Sequence, residues 1–227
     1  GVILPSTDGL IFPFEAVSLN AVDVTIVKIF EDNISQFLQV NQLDGNREVR
    51  RVGRPLIRKK VPLNTSGVTD LGKWNRFTLD LSEYIKTEPG AIYQIELNFS
   101  KSYSAYYCEG ENQQEDLESV GQEENWDDAP AEDSYWDYYE DYYYDPNYDW
   151  NERDNPCHTS YYGRRRKVTR NVLASDLGLT AKMGSNSKMH IAVNDLKTTK
   201  PVSGVKLEIY NYQQQLLATE NTNQDGM

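Results

Sequence analysis

Two cysteines and two histidines are the side chains best suited to chemistry in this sequence, and their spacing narrows what the chain can do. Cys108 and Cys157 bracket a peculiar segment, residues 109–156, that holds 18 of the 35 acidic residues and a single base, Arg153. Scattered cysteines would suit buried thiols, whereas a pair that closes off one segment suits a disulfide at its base, and such a bond needs an oxidising compartment. His158 follows Cys157 directly and His190 opens a predicted strand. Neither has a nucleophile or a second ligand as a neighbour, so both read as structural or surface residues. The sequence holds no phosphate-cradling glycine loop, no paired metal-ligand spacing and no Gly-x-Ser-x-Gly elbow. Its many carboxylates lie in a run, which is a solvated surface, and not in the rigid opposed pair that glycoside hydrolysis requires. The expectation is a chain with no catalytic residue and no cofactor, and therefore no enzyme.

The segment between the cysteines changes character along its length. From Glu109 to about Glu132 it is rich in Glu, Gln and Asp and poor in apolar residues, a composition that cannot bury enough surface to order itself. Beyond that it carries Tyr135, Trp136, Tyr138, Tyr139, Tyr142, Tyr143, Tyr144, Tyr148 and Trp150. Clustered Tyr and Trp supply contact area at low entropic cost, so these nine residues form a candidate recognition surface beside the plainer reading of a solvated loop. Asp145, Asn147, Asp149 and Asn151 fall at alternating positions like those of an EF-hand loop, the first three being the calcium candidates. However, Trp150 stands where that loop needs its invariant Gly, and Pro156 where it needs a bidentate Glu.

The formal net charge of -12 is local in origin. The insert alone carries about -17 (18 acidic, 1 basic), and the remainder about +5 (22 basic, 17 acidic). The only basic cluster expected, Arg164 to Lys167, sits just beyond the insert, can be neutralised by it and can hold its base by charge. Without a clustered basic face, nucleic acid is not an expected partner. No apolar run reaches the 18 or so residues of a membrane helix, so no membrane contact by this fragment is expected, and no leader opens the chain. Gly1 is not an initiator, and Asn223 to Met227 read as a turn entering a further strand. A piece of a longer protein is the expectation, with any leader or lipid anchor lying upstream.

Alternation dominates the rest. Val22 to Ile29 places Val22, Val24 and Ile26 on one face, and further strands are predicted over Leu10 to Leu19, Val49 to Leu63, Trp74 to Leu81 and Ala91 to Tyr107. Turn signals at Asp44-Gly45-Asn46, Thr65-Ser66-Gly67 and Glu88-Pro89-Gly90 separate them. Two short helical pieces are predicted. One is Ile34 to Val40, with Asn33 as its cap and Ile34, Phe37 and Leu38 as its apolar stripe, and the other is a single turn at Ser82 to Ile85. A second unit is predicted to start near Arg166, with strands over Val168 to Leu173, Leu177 to Met183, Met189 to Leu196, Val205 to Tyr212 and Gln215 to Thr219. This predicts an all-β chain of tandem fibronectin/immunoglobulin-like antiparallel β-sandwich domains. Residues 1–165 form the first, with the acidic insert 109–156, and residues 166–227 form the second, incomplete one.

Several phrases resemble a known family. Val24 to Val40, Pro89-Gly90-Ala91-Ile92-Tyr93 and Arg170-Asn171-Val172-Leu173-Ala174-Ser175-Asp176-Leu177-Gly178-Leu179 are similar to the amino-terminal region of the large bacterial alpha-2-macroglobulins. Met189 to Gly226, with Thr199 to Val205 and Asp225-Gly226, resembles the next macroglobulin domain of the same array. The resemblance implies a string of sandwiches in the periplasm or on the outer cell surface, acting as an endopeptidase inhibitor that traps proteases. It also implies neighbouring domains of the same chain, and proteases, as partners. The family's Cys-x-Glu-Gln thioester sequence is not in this chain, no stretch stands out as a bait, and the acidic insert departs from the family pattern. The alternative is a surface adhesion module that presents the Tyr/Trp loop to a glycan or protein. On the EF-hand mismatch, calcium titrated into the chain should give no heat and leave the melting temperature unchanged.

Overall fold

A strand of nine residues, Ala21–Ile29 (β3), organises the molecule because both of its faces are apolar. The computed structural model describes residues 2–4, 10–63, 70–109, 124–125, 148–162, 166–185 and 187–227. On either side β3 pairs antiparallel with Gly53–Pro62 (β4) and Ile92–Asn98 (β6). Beyond β6 lies Val168–Ala174 (β8), and beyond that Val2–Leu4 (β1), which joins β8 in parallel. Glu124–Asn125 (β7) borders β4, so the six-stranded sheet runs β1-β8-β6-β3-β4-β7. Ile11–Ala16 (β2) and Asn75–Asp80 (β5) form a separate antiparallel pair packed against one of its faces.

The period of two explains the layering. Val22, Val24 and Ile26 of β3, with Tyr93, Ile95 and Leu97 of β6 and Val172 and Ala174 of β8, meet Phe12, Ala16, Phe77 and Leu79 of the smaller layer. Each such aliphatic side chain taken fully out of water contributes about 1.5–3 kcal/mol before chain entropy is set against it. The other face of the sheet is covered too. Val27 and Ile29 pack with Ile92 against Phe37, Val49 and Val52. Phe37 lies on the short helix Ile34–Val40 (α1). The predicted half-buried strand is thus buried on both sides, and Lys28 near its end is neutralised by Glu88.

Asn33 occupies the N-cap position of α1, but its side chain does not cap the helix: the amide donates to Val52 O at 3.1 Å. A 3-10 turn over Glu31–Asn33 already places its backbone at φ -100°, ψ 0°, outside the extended geometry a capping side chain needs. Leu38, predicted in the apolar stripe, is exposed, since Phe37 with Ile34, Val49 and Val52 fills the space above β3. The strand predicted from Val49 begins as a 3-10 turn over Val49–Arg51, and the segment after β6 turns through another at Lys101–Tyr103 before the insert.

After Ala174 come two hairpins: Leu177–Met183 (β9) with Met189–Asp195 (β10), and Lys206–Tyr210 (β11) with Leu216–Asn221 (β12). Buried Thr222 ties them together, donating to Val202 O at 2.7 Å and accepting from Val205 N at 2.9 Å. Gly226 closes the same junction. Its φ is +72°, and a Cβ there would stand 2.6 Å from Val193 O, the carbonyl beside the amide that donates to Gly226 O.

Val168 to Leu173, predicted as the opening strand of the second unit, instead completes the main sheet. Val172 sits opposite Tyr93 in register, and its side chain is fully buried in the sandwich core, so the chain does not leave the first layer at residue 165. The pairing of β1 with β8 is also the one parallel junction among the described strands of this sheet. Asn171 faces the opposite side, buried, where its amide donates to Leu43 O at 2.9 Å and Gly45 O at 2.7 Å and accepts from Gln94 Nε2 at 3.1 Å. Truncation to Asn171→Ala strands two carbonyls and one amide away from water. It should lower unfolding stability by roughly 3 kcal/mol in urea titration.

Candidate functional site

The base of the insert is where the predicted chemistry-bearing residues gather. Cys108 and Cys157 are bonded, with Cα atoms 5.7 Å apart and 49 positions of sequence separation. The outgoing arm is fixed to the sandwich by backbone: Asn20 N donates to Tyr103 O and Ala105 N to Ser18 O, each at 2.8 Å. Buried Tyr103 anchors it further. Its hydroxyl donates to Asp23 Oδ1 at 2.8 Å and the Lys60 ammonium lies 4.9 Å from its ring centroid. Burial, reinforced by the hydrogen bond to Asp23, pushes this phenol far above the ordinary tyrosine range.

The returning arm is a succession of tight turns built by short polar side chains. Asp149 Oδ1 accepts from Asn151 N at 2.8 Å, Asn155 Oδ1 from Cys157 N at 2.9 Å, and His158 Nδ1 from Ser160 N at 3.2 Å. The Ser160 hydroxyl in turn accepts from Asp149 N at 2.8 Å, which draws the two ends of the arm together. This is Asx-turn geometry, in which Asn and Asp mimic a backbone turn. His158 is therefore a turn acceptor. His190 is exposed on β10, far along the chain from it.

Of the candidate recognition residues, Tyr148 and Trp150 are described, while Tyr135, Trp136, Tyr138, Tyr139, Tyr142, Tyr143 and Tyr144 lie outside the described residues. The Tyr148 and Trp150 rings meet edge to face, with centroids 6.2 Å apart, and the Arg153 guanidinium stands 4.8 Å from the Trp150 ring. Trp150 nonetheless remains 52% exposed. Arg166 lies 4.1 Å from the Tyr161 ring, Tyr161 abuts Tyr162, and Tyr162 meets Phe99 on the sandwich. A cation capping three successive rings therefore links the arm to the core. Asp145 and Asn147 also lie outside the described residues, and Asp149 directs a carboxylate oxygen to its own turn. Among the described residues no group of three or more His, Cys, Asp or Glu side chains is placed to hold a metal.

The basic collar divides between two tasks. Arg166 donates to Arg153 O at 3.1 Å and to Asp154 Oδ1 at 2.9 Å, which holds the insert's base by charge as predicted. Lys167 instead reaches Glu96 on the sheet at 2.9 Å, while Arg164 and Arg165 lie outside the described residues. Sequence reasoning missed a larger basic run. Seven of the fourteen residues from 47 to 60 are Arg or Lys, and they lead into and along β4. Spread over a turn and a strand, they make no compact Arg-Lys block and were legible only as a count along the chain. Exposed Trp74 and Tyr107 were also missed as surface aromatics. A surface hollow beside α1, lined in part by Gln36, Gln39, Arg47 and Glu48, offers about 60 Å³ to a water-sized sphere, room for a few waters.

Residues 174–227 match the family described as the bacterial alpha-2-macroglobulin MG3 domain. None of the curated proteins matches the chain. Among solved structures, a fragment of native alpha-2-macroglobulin from Escherichia coli spanning domains NIE-MG1 aligns at TM-score 0.54 and 12% identity, over 98% of this chain and 78% of that one. A longer fragment of the same protein, spanning MG0-NIE-MG1, gives 0.48 and 13%, over 94% of this chain and 49% of that one. The native conformation of the Escherichia coli protein seen by cryo-EM gives 0.47 and 15%, over 99% of this chain and 10% of that one. The resemblance to the bacterial alpha-2-macroglobulins thus rests on sequence over residues 174–227 and on shared fold across nearly the whole chain.

The closed arm makes a direct prediction. Loop closure over 49 positions restricts the unfolded chain by about 4 kcal/mol in the chain-entropy treatment. Replacing both cysteines by Ala should lower the unfolding free energy measured by urea titration by up to that amount, with the far-ultraviolet circular dichroism of the sandwich retained.

Proposed function

We propose, from this resemblance as premise, that the chain is a non-catalytic structural and interaction segment of a large exported protein of the bacterial alpha-2-macroglobulin kind, part of an array that traps proteases. The observation that carries the reading is the match of residues 174–227 to a macroglobulin domain, directly following a sandwich whose last strand is β8. Two domains fit it, with the sequence-based boundary at 165/166 moved to about Ala174, so that β8 stays in its sheet and the hairpins begin the second domain. Several further observations support the reading. The disulfide suits an oxidising compartment, the periplasm or the outer surface. No helix among the described residues is long and apolar enough to cross a membrane. Buried polar groups such as Asn171 and Tyr103 are spent on packing and not on a cleft. In this role the first sandwich is a rigid spacer, and its partners are the neighbouring domains of the same chain and the captured protease.

The test uses the whole gene product. Incubated with trypsin, it should suppress cleavage of a large protein substrate by more than tenfold while leaving cleavage of a small chromogenic peptide within twofold, since enclosure excludes size and not chemistry. Equal rates on both substrates with and without the protein would overturn the trap.

A further inference from the structure

We infer that the outer face of α1 is a docking surface for the turn between β11 and β12, and that this contact sets the direction in which residues 177–227 leave the sandwich. Ile34 and Phe37 face the sheet, where they join the apolar cluster of Val27, Ile29 and Ile92. Ser35 and Gln39 lie on another stripe of the helix, four positions and so about 6 Å apart. Both meet the same distant turn. Gln39 Nε2 donates to Tyr212 O at 2.6 Å, and Ser35 O accepts from Gln214 Nε2 at 3.4 Å, across 173 and 179 positions of sequence. Two bonds spaced by one turn of helix fix an orientation as well as a position.

The turn arrives at the helix already built. Asn211 N donates to Gln215 O at 3.1 Å and Asn211 O accepts from Gln214 N at 3.0 Å. The Asn211 side chain closes the turn again, accepting from Gln215 N and donating to Gln215 Oε1, each at 2.8 Å. These bonds hold Gln214 at φ +63°, a left-handed conformation that residues with a Cβ rarely adopt. The Tyr212 carbonyl and the Gln214 side-chain amide then bond outside the turn, and both reach α1. A turn so preorganised gives up little conformational entropy on docking.

The path of the chain makes this foothold decisive for direction. Ser175 belongs to the main sheet, its N donating to Leu4 O at 3.0 Å, while Asp176 belongs to the hairpins, its carbonyl accepting from Leu196 N at 2.8 Å. These two residues are the whole connection between β8 and β9. A connection that short fixes where the hairpins begin and still lets them swivel, and a second foothold on α1 removes that swivel. The hairpins turn together, since Val193 N donates to Gly226 O at 2.8 Å and Val202 N to Val193 O at 2.9 Å. With the tether keeping the turn beside the helix, even modest bonds suffice to hold it. They are neutral amide-to-carbonyl bonds at the surface, where Tyr212 is 68% exposed, so water can replace them without unfolding either side and salt has no charge to screen. The foothold belongs to this chain's path whether or not the whole protein traps proteases.

Pulsed dipolar distance measurement on the whole chain, with its disulfide intact, tests this through nitroxide labels at two exposed positions, Lys86→Cys on the sandwich and Thr219→Cys on β12. The labelled parent should give one narrow distance peak. Gln39→Met keeps the length of the side chain and removes its donor, and Gln214→Asn keeps a residue that tolerates the left-handed region while shortening its reach. Together they should at least double the width of the peak, and each alone should widen it measurably, so the single variants decide the matter should the pair fail to fold. Gln39→Lys restores a donor and should keep the peak as narrow as the parent's. Raising sodium chloride from 20 to 500 mM should leave the parent's width unchanged. A parent distribution already as broad as that of the pair, or a narrow peak that survives the loss of both amides, would overturn the inference. So would a peak for Gln39→Lys as broad as that for Gln39→Met, which would reduce Gln39 to bulk, or broadening by salt, which would assign the direction of the hairpins to charge.

Discussion

The burial of β3 on both faces is the constraint from which the remainder of the molecule follows. A strand that presents Val22, Val24 and Ile26 to one side and Val27 and Ile29 to the other needs two covers. The pair β2–β5 supplies one, and α1 with its following turns supplies the second. Short helix though it is, α1 is required by the apolar side chains beneath Phe37 and not by its own propensity, since seven residues are too few to be stable as an isolated helix. The polar residues that accompany it then become structural. Asn33 reaches Val52 O, Asn41 bonds Phe37 O and Arg47 O, and Asn171 takes the carbonyls of Leu43 and Gly45. Amide side chains complete the second cover where backbone pairing is not available to it.

Charge is arranged around that frame in two opposed blocks. The insert concentrates acid between two bonded cysteines, and the stretch entering β4 concentrates base along a sheet edge. Exposed pairs of opposite sign contribute little each, typically below 1 kcal/mol, so a block acts through its field and not through single contacts. The paired aromatics at the insert's base work differently. Tyr161, Tyr162 and Phe99 carry packing from the returning arm into the sandwich, where salt has little leverage.

Much of the sheet was legible because its residues obey a period of two. The alternation of Tyr93, Ile95 and Leu97 against Ile92, Gln94 and Glu96 is the division between the two faces of β6, and the bracketing of one segment by two cysteines is the bond that forms. Three residues, Val2 to Leu4, are too few to reveal any period, so β1 escaped. Which sheet receives Val168 to Leu173 was not legible for a different reason. A strand's local pattern says which face is apolar but not which sheet receives it, and only the long-range register with Tyr93 decides that. Asn33 and Leu38 failed through tertiary override, because a carbonyl at Val52 and the bulk of Phe37 were better partners than the local rule supplied. The basic run at 47 to 60 was present in the letters, yet its meaning depends on β4 lying at an edge, which the letters do not state.

An edge strand carries an inherent hazard, and this molecule's answer to it bears on how such domains can be strung together. Long open edges invite pairing between chains, and natural sheets commonly blunt them with charge or cover them. β4 carries bases along its length, and among the described residues Glu124–Asn125 of the same chain pairs with it. At the other edge, β1 is brief and pairs in parallel with the last three residues of β8. The hairpins after Ala174 lack this protection, with Leu179, Met183, Leu216 and Leu217 more than half exposed. Exposed apolar side chains of that kind mark a candidate contact surface, where the edge strands of the main sheet carry charge or a paired segment instead.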